Sequence, residues 1–112
     1  MSKLKITSQK SFYFVKAEKI RCCFCEEKCV VVITTEKVSG KTRHVTSQCL
    51  NSIEDELKQP KKFVRIHDNT LVNLDCADGY IKGRGGRVVM DDETEYEVSK
   101  RRKKEFLKRY KA

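Results

Sequence analysis

The residues of this chain best suited to engage an anion are five consecutive cations, Lys100, Arg101, Arg102, Lys103 and Lys104, set between Ser99 and an apolar Phe106-Leu107 pair. Phe106, Leu107 and Tyr110 share one face at helical spacing while the cations take the other, so a helix is expected from Ser99 onward. Its polarity is unusual. A helix start is already positive, and each cation placed there costs roughly a few tenths of a kcal/mol, a cost that a bound anion reverses. Backbone N–H groups, the Ser99 hydroxyl and the flexible cations together would make a phosphate site. The bland alternative is a solvated charged face.

Charge distribution favours the binding reading. Eight of the 25 Lys and Arg residues lie between Lys100 and Ala112 against one carboxylate, Glu105. That segment is therefore +7, and the preceding 99 residues carry only +2 of the net +9. A local excess of this kind marks a surface for a polyanion, whereas charge that serves solubility is spread more evenly.

Six cysteines raise a second possibility. Cys22, Cys23, Cys25 and Cys29 fall within eight residues, which invites a zinc or redox reading. Structural zinc sites join ligand pairs from separate turns, however, and these cysteines lie largely in an expected strand whose side chains alternate between faces. Buried apolar thiols are the preferred reading, with Cys49 and Cys76 as core positions. No disulfide frame is evident, and reduced thiols fit a cytoplasmic chain. There is no nucleophile–base arrangement, no carboxylate pair in an apolar setting and no His-Glu-x-x-His. Gly83-Arg84-Gly85-Gly86 leads into a strand and reads as a turn, and Asp91-Asp92-Glu93 as a solvated turn. We expect neither an enzyme nor a cofactor.

Several elements must position these residues. At 112 residues the chain can bury one core, so 1–112 is read as a single domain. Short β-branched and aromatic runs at Leu4 to Thr7, Phe12 to Val15, Ile20 to Phe24 and Val30 to Thr35 predict strands, with Phe12, Phe14 and Phe24 in the core. A turn over Glu36 to Gly40 would return the chain as Thr42 to Thr46. Ser47 would cap a helix carrying Leu50, Ile53 and Leu57 that stops before Pro60, and Lys58 to Lys62 is linker-like. A strand at Phe63 to Ile66, a short apolar piece at Thr70 to Leu74, a hairpin of Tyr80 to Lys82 with Arg87 to Met90, and a last strand at Glu95 to Val98 precede the final helix. The expected fold is mostly β with two short helices. No stretch approaches the roughly 20 apolar residues of a membrane-spanning helix, and the N-terminus lacks a signal-peptide core.

Two segments carry a resemblance. Phe63-Val64-Arg65-Ile66-His67-Asp68-Asn69-Thr70-Leu71-Val72-Asn73-Leu74 and Tyr96-Glu97-Val98-Ser99-Lys100-Arg101-Arg102-Lys103-Lys104 resemble the LytTR-type DNA-binding domain at the C-terminus of many bacterial response regulators. The first matches that family's F-x-R-x-H segment, polar pair and V-N pattern; the second matches its final strand, serine and basic helix. The resemblance implies an elongated assembly of small antiparallel sheets that reads double-stranded DNA through loops, with no recognition helix. It implies three contact regions: Lys28 in the turn Cys25 to Cys29; His67, Asp68 and Asn69; and Lys100, Arg101, Arg102 and Lys103, with Arg101 at a base edge. An arginine fork can pair with both guanine acceptors in the major groove. Asp68 departs from the pattern, since relatives commonly place Arg, Lys or Asn there. It could accept from a cytosine amino group, or orient Arg65 or Asn69, leaving the base contact to Asn69.

The implied partners are promoter repeats of duplex DNA, a phosphate-accepting receiver domain and further copies of the chain on DNA. Two alternatives stay open. One is a small basic RNA-binding protein, which would stack bases on exposed sheet aromatics; the other is a cysteine-based zinc or redox module.

Overall fold

A computed structural model of the chain describes residues 3–8, 10–59 and 62–110. Gln9 in the first expected turn, Pro60 and Lys61 in the linker-like stretch, and Lys111 in the basic segment lie outside the described residues. The chain divides into two units, residues 1–59 and 60–112.

In the first unit, β1 (Lys3–Thr7) alternates apolar Leu4 and Ile6 with Lys3, Lys5 and Thr7. It pairs antiparallel with β2 (Phe12–Lys16), bringing Val15 opposite Leu4 and Tyr13 opposite Ile6. Opposed residues of an antiparallel pair share a face, so Leu4, Ile6 and Val15 are buried together. Phe12 and Phe14, opposite Thr7 and Lys5, are left 60% and 57% exposed. The core positions expected for these two rings are therefore corrected: β1 dictates which face of the ribbon turns inward. Phe24 is half-buried.

β3 (Ile20–Glu26), β4 (Cys29–Val38) and β5 (Lys41–Thr46) form an antiparallel meander. Consecutive buried residues, Cys22-Cys23 and Val30-Val31-Val32, show that both faces of its centre are covered. β4 runs three residues beyond the expected stop. Its turn is the two-residue Ser39-Gly40, both at positive φ (51° and 82°), with Val38 paired to Lys41. Tight hairpin turns need that backbone, which Gly40 supplies without strain. The first helix, α1 (Leu50–Leu57), buries Leu50, Ile53 and Leu57 as expected. Ser47 does not cap it, because the cap position falls on Cys49. Cys49 is exposed, not core, with its sulfur 3.1 Å from Ser52 Oγ.

The second unit opens with the hairpin β6 (Phe63–His67) and β7 (Thr70–Asn73), joined by Asp68-Asn69. β8 (Ala77–Ile81), β9 (Arg87–Met90) and β10 (Glu95–Glu97) make a three-stranded antiparallel sheet. The closing helix, α2 (Lys100–Tyr110), carries fully buried Phe106 against Tyr80 and Tyr110, with ring centroids 5.9 and 5.4 Å away. Phe63, Val64, Ile66, Leu71, Val72, Val88, Met90 and Val98 complete its core. The fold is thus mostly β, with several small antiparallel sheets and two helices. Among the described residues no helix is long and apolar enough to cross a membrane.

Candidate nucleic-acid interface

Backbone hydrogen bonds fix where the basic helix begins. Val98 N–H donates to Gly86 O at 2.9 Å and Ser99 N–H to Ile66 O at 2.8 Å, so the two residues before α2 are tied to the loop entering β9 and to β6 respectively. Gly86 is required there, because a Cβ on it would stand 2.0 Å from Tyr80 Oη and 2.8 Å from Tyr80 Cζ. Two elements distant in sequence thereby meet: the β6–β7 turn and the first turn of α2.

Asp68 occupies the junction. Its Oδ1 accepts from Arg101 Nη2 at 2.6 Å and from Arg102 Nη2 at 3.3 Å, while Arg65 Nη1 donates to the Asp68 backbone carbonyl at 2.8 Å. The Arg101 charge, followed by the Arg102 hydrogen bond, holds the Asp68 carboxyl below the usual carboxylate range. Arg65, Arg101 and Arg102, with Glu105, line a shallow cleft of about 250 Å³. Arg101 keeps 71% of its side chain exposed and Arg102 only 30%. Two guanidiniums therefore hold the Asp68 carboxylate and a third holds its backbone carbonyl. The surplus positive charge faces outward through Arg101.

Other expected contacts fall around this cluster with differing freedom. Asn69 Oδ1 accepts from the Thr70 hydroxyl at 2.9 Å, which leaves its amide N–H groups to a base edge or phosphate. His67 Nε2 lies 3.8 Å from Glu97 Oε1, and its buried Nδ1 has no partner among the described residues. Lys100 is exposed at the helix start. Lys103 is half-buried, and its ammonium donates to Gly83 O at 3.4 Å, so it also braces the glycine-rich turn. Lys28 is exposed at the β3–β4 turn of the first unit, next to Glu27, which has a φ of 56°.

Two sequence expectations change. The phosphate site drawn from the Ser99 hydroxyl and N–H is not available in that form: Ile66 takes the N–H, and the hydroxyl is buried without a partner among the described residues. Asp68 orients Arg101 and Arg102, where the sequence had suggested Arg65 or Asn69 as its charges. Arg65 is the member that sequence reasoning undervalued. Its signal was spacing, since a residue three positions before Asp68, on the strand entering the turn, lies within a guanidinium's reach.

The cysteines hold no such arrangement. Cys22 and Cys23 are buried, and burial pushes the Cys23 thiol far above its ordinary value. Among the described residues no group of three His, Cys, Asp or Glu side chains could hold a metal ion.

Small antiparallel sheets that present turn residues beside a cationic helix start form a surface suited to a polyanion. The chain matches the family model of the LytTr DNA-binding domain over residues 10–111, and it belongs to that family. Among solved structures it is similar to a LytTr DNA-binding domain from Bacillus cereus, named as that of a methyl-accepting/DNA response regulator. The two share 18% identity and a TM-score of 0.80, over 97% of this chain and 96% of that one. No curated protein matches the chain.

Proposed function

We propose that the two units act as one non-catalytic domain, residues 1–112, that binds duplex DNA sequence-specifically as the output domain of a bacterial response regulator. The observation that carries this reading is the Asp68–Arg101 pair, in which an exposed guanidinium is held in a fixed orientation at the tip of a basic helix. In this reading Arg101 reads a base edge in the major groove, and Asn69 supplies a second polar contact beside it. Lys100, Arg102, Lys103 and His67 set register on the sugar-phosphate backbone, and Lys28 adds a contact from the first unit. Asp68 is a positioning residue. Its carboxylate prevents Arg101 from collapsing onto the nearest phosphate.

The partners on this reading are promoter repeats, a receiver domain and further copies of the chain, in the cytoplasm. Selection from a random duplex library at fixed salt tests it directly. An enriched motif that loses information at one base pair with Arg101→Ala supports the assignment; recovery of no motif overturns it.

A further inference from the structure

We infer that the outer face of the β1–β2 ribbon is a second nucleic-acid surface, one that stacks bases of an unpaired strand on Phe12 and Phe14 while Lys3, Lys5 and Lys16 hold its phosphates. The correction of these two rings from core to surface carries the inference.

Residues on this face follow from the register. Lys3 opposes Lys16, Lys5 opposes Phe14 and Thr7 opposes Phe12. All six are exposed. Three cations, two aromatic rings and one hydroxyl thus share a face, and the two strands place no carboxylate on it. Lys5 Nζ sits 4.4 Å from the Phe12 ring centroid. The ammonium lies over that ring face, so a base stacks on Phe12 from the opposite face or by displacing Lys5 toward a phosphate.

Charge and geometry select the occupant. Lysines are depleted at protein–protein interface cores, and a stable protein partner needs about 800 Å² on each side. Two half-exposed rings ringed by lysines fall short of that. A polyanion bearing flat apolar groups matches both features, because each base offers a π-face and each nucleotide a phosphate. The ring centroids are 6.3 Å apart at an interplanar angle of 89°. Stacked bases in a duplex rise about 3.4 Å per step. Bases on these two rings would have to be splayed and separately oriented, as only an unpaired strand permits. Alternating aromatics on an open sheet face serve the same purpose in single-strand-binding modules.

The face lies in the first unit, and its residues are distinct from the Asp68–Arg101 cluster, so the two sites can be tested separately. Fluorescence anisotropy would follow labelled twelve-nucleotide oligo-dT, oligo-rU and a duplex carrying the selected motif, with the wild type, Phe12→Ala/Phe14→Ala and Arg101→Ala. Both rings are exposed, so the double variant is expected to keep its fold, checked by its thermal melt. The expected result is oligo-dT or oligo-rU binding weakened at least about 10-fold by the double variant, with duplex binding changed less than about 2-fold, and the opposite pattern for Arg101→Ala. The two oligomers distinguish DNA from RNA as the source of the strand. Because the chain has no tryptophan, Phe14→Trp adds a reporter whose emission should be quenched when a base stacks on it. Wild type that binds neither oligomer, or a double variant that binds both as well as wild type, overturns the inference. So does sedimentation showing that the wild type self-associates and the double variant does not, since the face would then join copies of the chain. Loss of duplex binding by the wild type would count only against the output-domain reading.

Discussion

Asp68 Oδ1 lies 2.6 Å from Arg101 Nη2, so a cation with 71% of its side chain exposed is held by the one carboxylate of the β6–β7 turn. DNA must therefore compete with, or make use of, a charge that the protein already places beside its reader. With Asp68→Asn the counter-charge is gone and Arg101 is free to take a phosphate. Non-specific affinity at low salt should rise, the slope of log K against log salt should steepen by about 0.9, and discrimination between cognate and random duplex should fall. Salt titrations on both duplexes measure this; an unchanged ratio of cognate to random affinity would remove the positioning role. The pH sign is definite. The Asp68 carboxyl is held below the usual range, so its pair with Arg101 stays intact above the unfolded carboxylate pKa and is lost as pH falls through the lowered value.

Arg101 and Lys103 should separate specificity from affinity. Arg101→Ala is expected to relax preference at one base pair by about 1–3 kcal/mol, while Lys103→Ala weakens all duplexes alike and lowers the salt slope by about one. Competition binding against a panel of single-base variants distinguishes the two. Equal loss on every duplex for both variants would withdraw the base-reading role of Arg101.

Gly86→Ala tests the support beneath the helix. The added Cβ meets the end of Tyr80, and the ring must swing away from Phe106 to make room. Overpacking of this kind costs about 1–3 kcal/mol, measurable as a lower urea midpoint. Tyr80→Ala in the Gly86→Ala background should recover the overpacking part of the loss.

Ser39 stands at positive φ in a two-residue hairpin turn, a position that Asn occupies at lower cost. Ser39→Asn should stabilise the chain by about 0.5 kcal/mol without altering DNA binding, as read from chemical denaturation.

His44 predicts a pH dependence of stability. It is buried and shares a hydrogen bond with Tyr13 Oη. Burial, followed by the charge of Lys41, holds its imidazole below the ordinary value of 6.5. The unfolded chain therefore takes up a proton first as pH drops. Stability should be level above about pH 6.5 and decline below it by at most ~1.4 kcal/mol per pH unit, until the folded state also protonates. His44→Gln should flatten that part of the profile.

Much of this fold was legible because periodicity and turn residues agreed. Arg87–Met90 was placed to the residue by the glycines before it and the acidic turn after it, and Leu50, Ile53 and Leu57 marked α1 by spacing. Phe12 and Phe14 were misplaced because Phe-Tyr-Phe-Val offers two plausible inward faces. Only the pairing with Leu4 and Ile6 chooses between them, and that is a property of the partner strand. Cys49 was misjudged for a similar reason, since hydrophobic character does not reveal a cap position. At the site, the residue types at 65–69 and 100–103 were readable. Their mutual arrangement was not, because Asp68 and Arg101 meet only after the chain has closed 33 residues.

The Ser99 N–H to Ile66 O bond and buried Phe106 locate the helix start through atoms other than the side chains of Lys100, Arg101 and Lys104. Address and anchorage are thereby held by different atoms. A lineage could rewrite Lys100, Arg101 or Lys104 for a new target while keeping the same platform, and a designer could do likewise with a library confined to those positions and to 68–69.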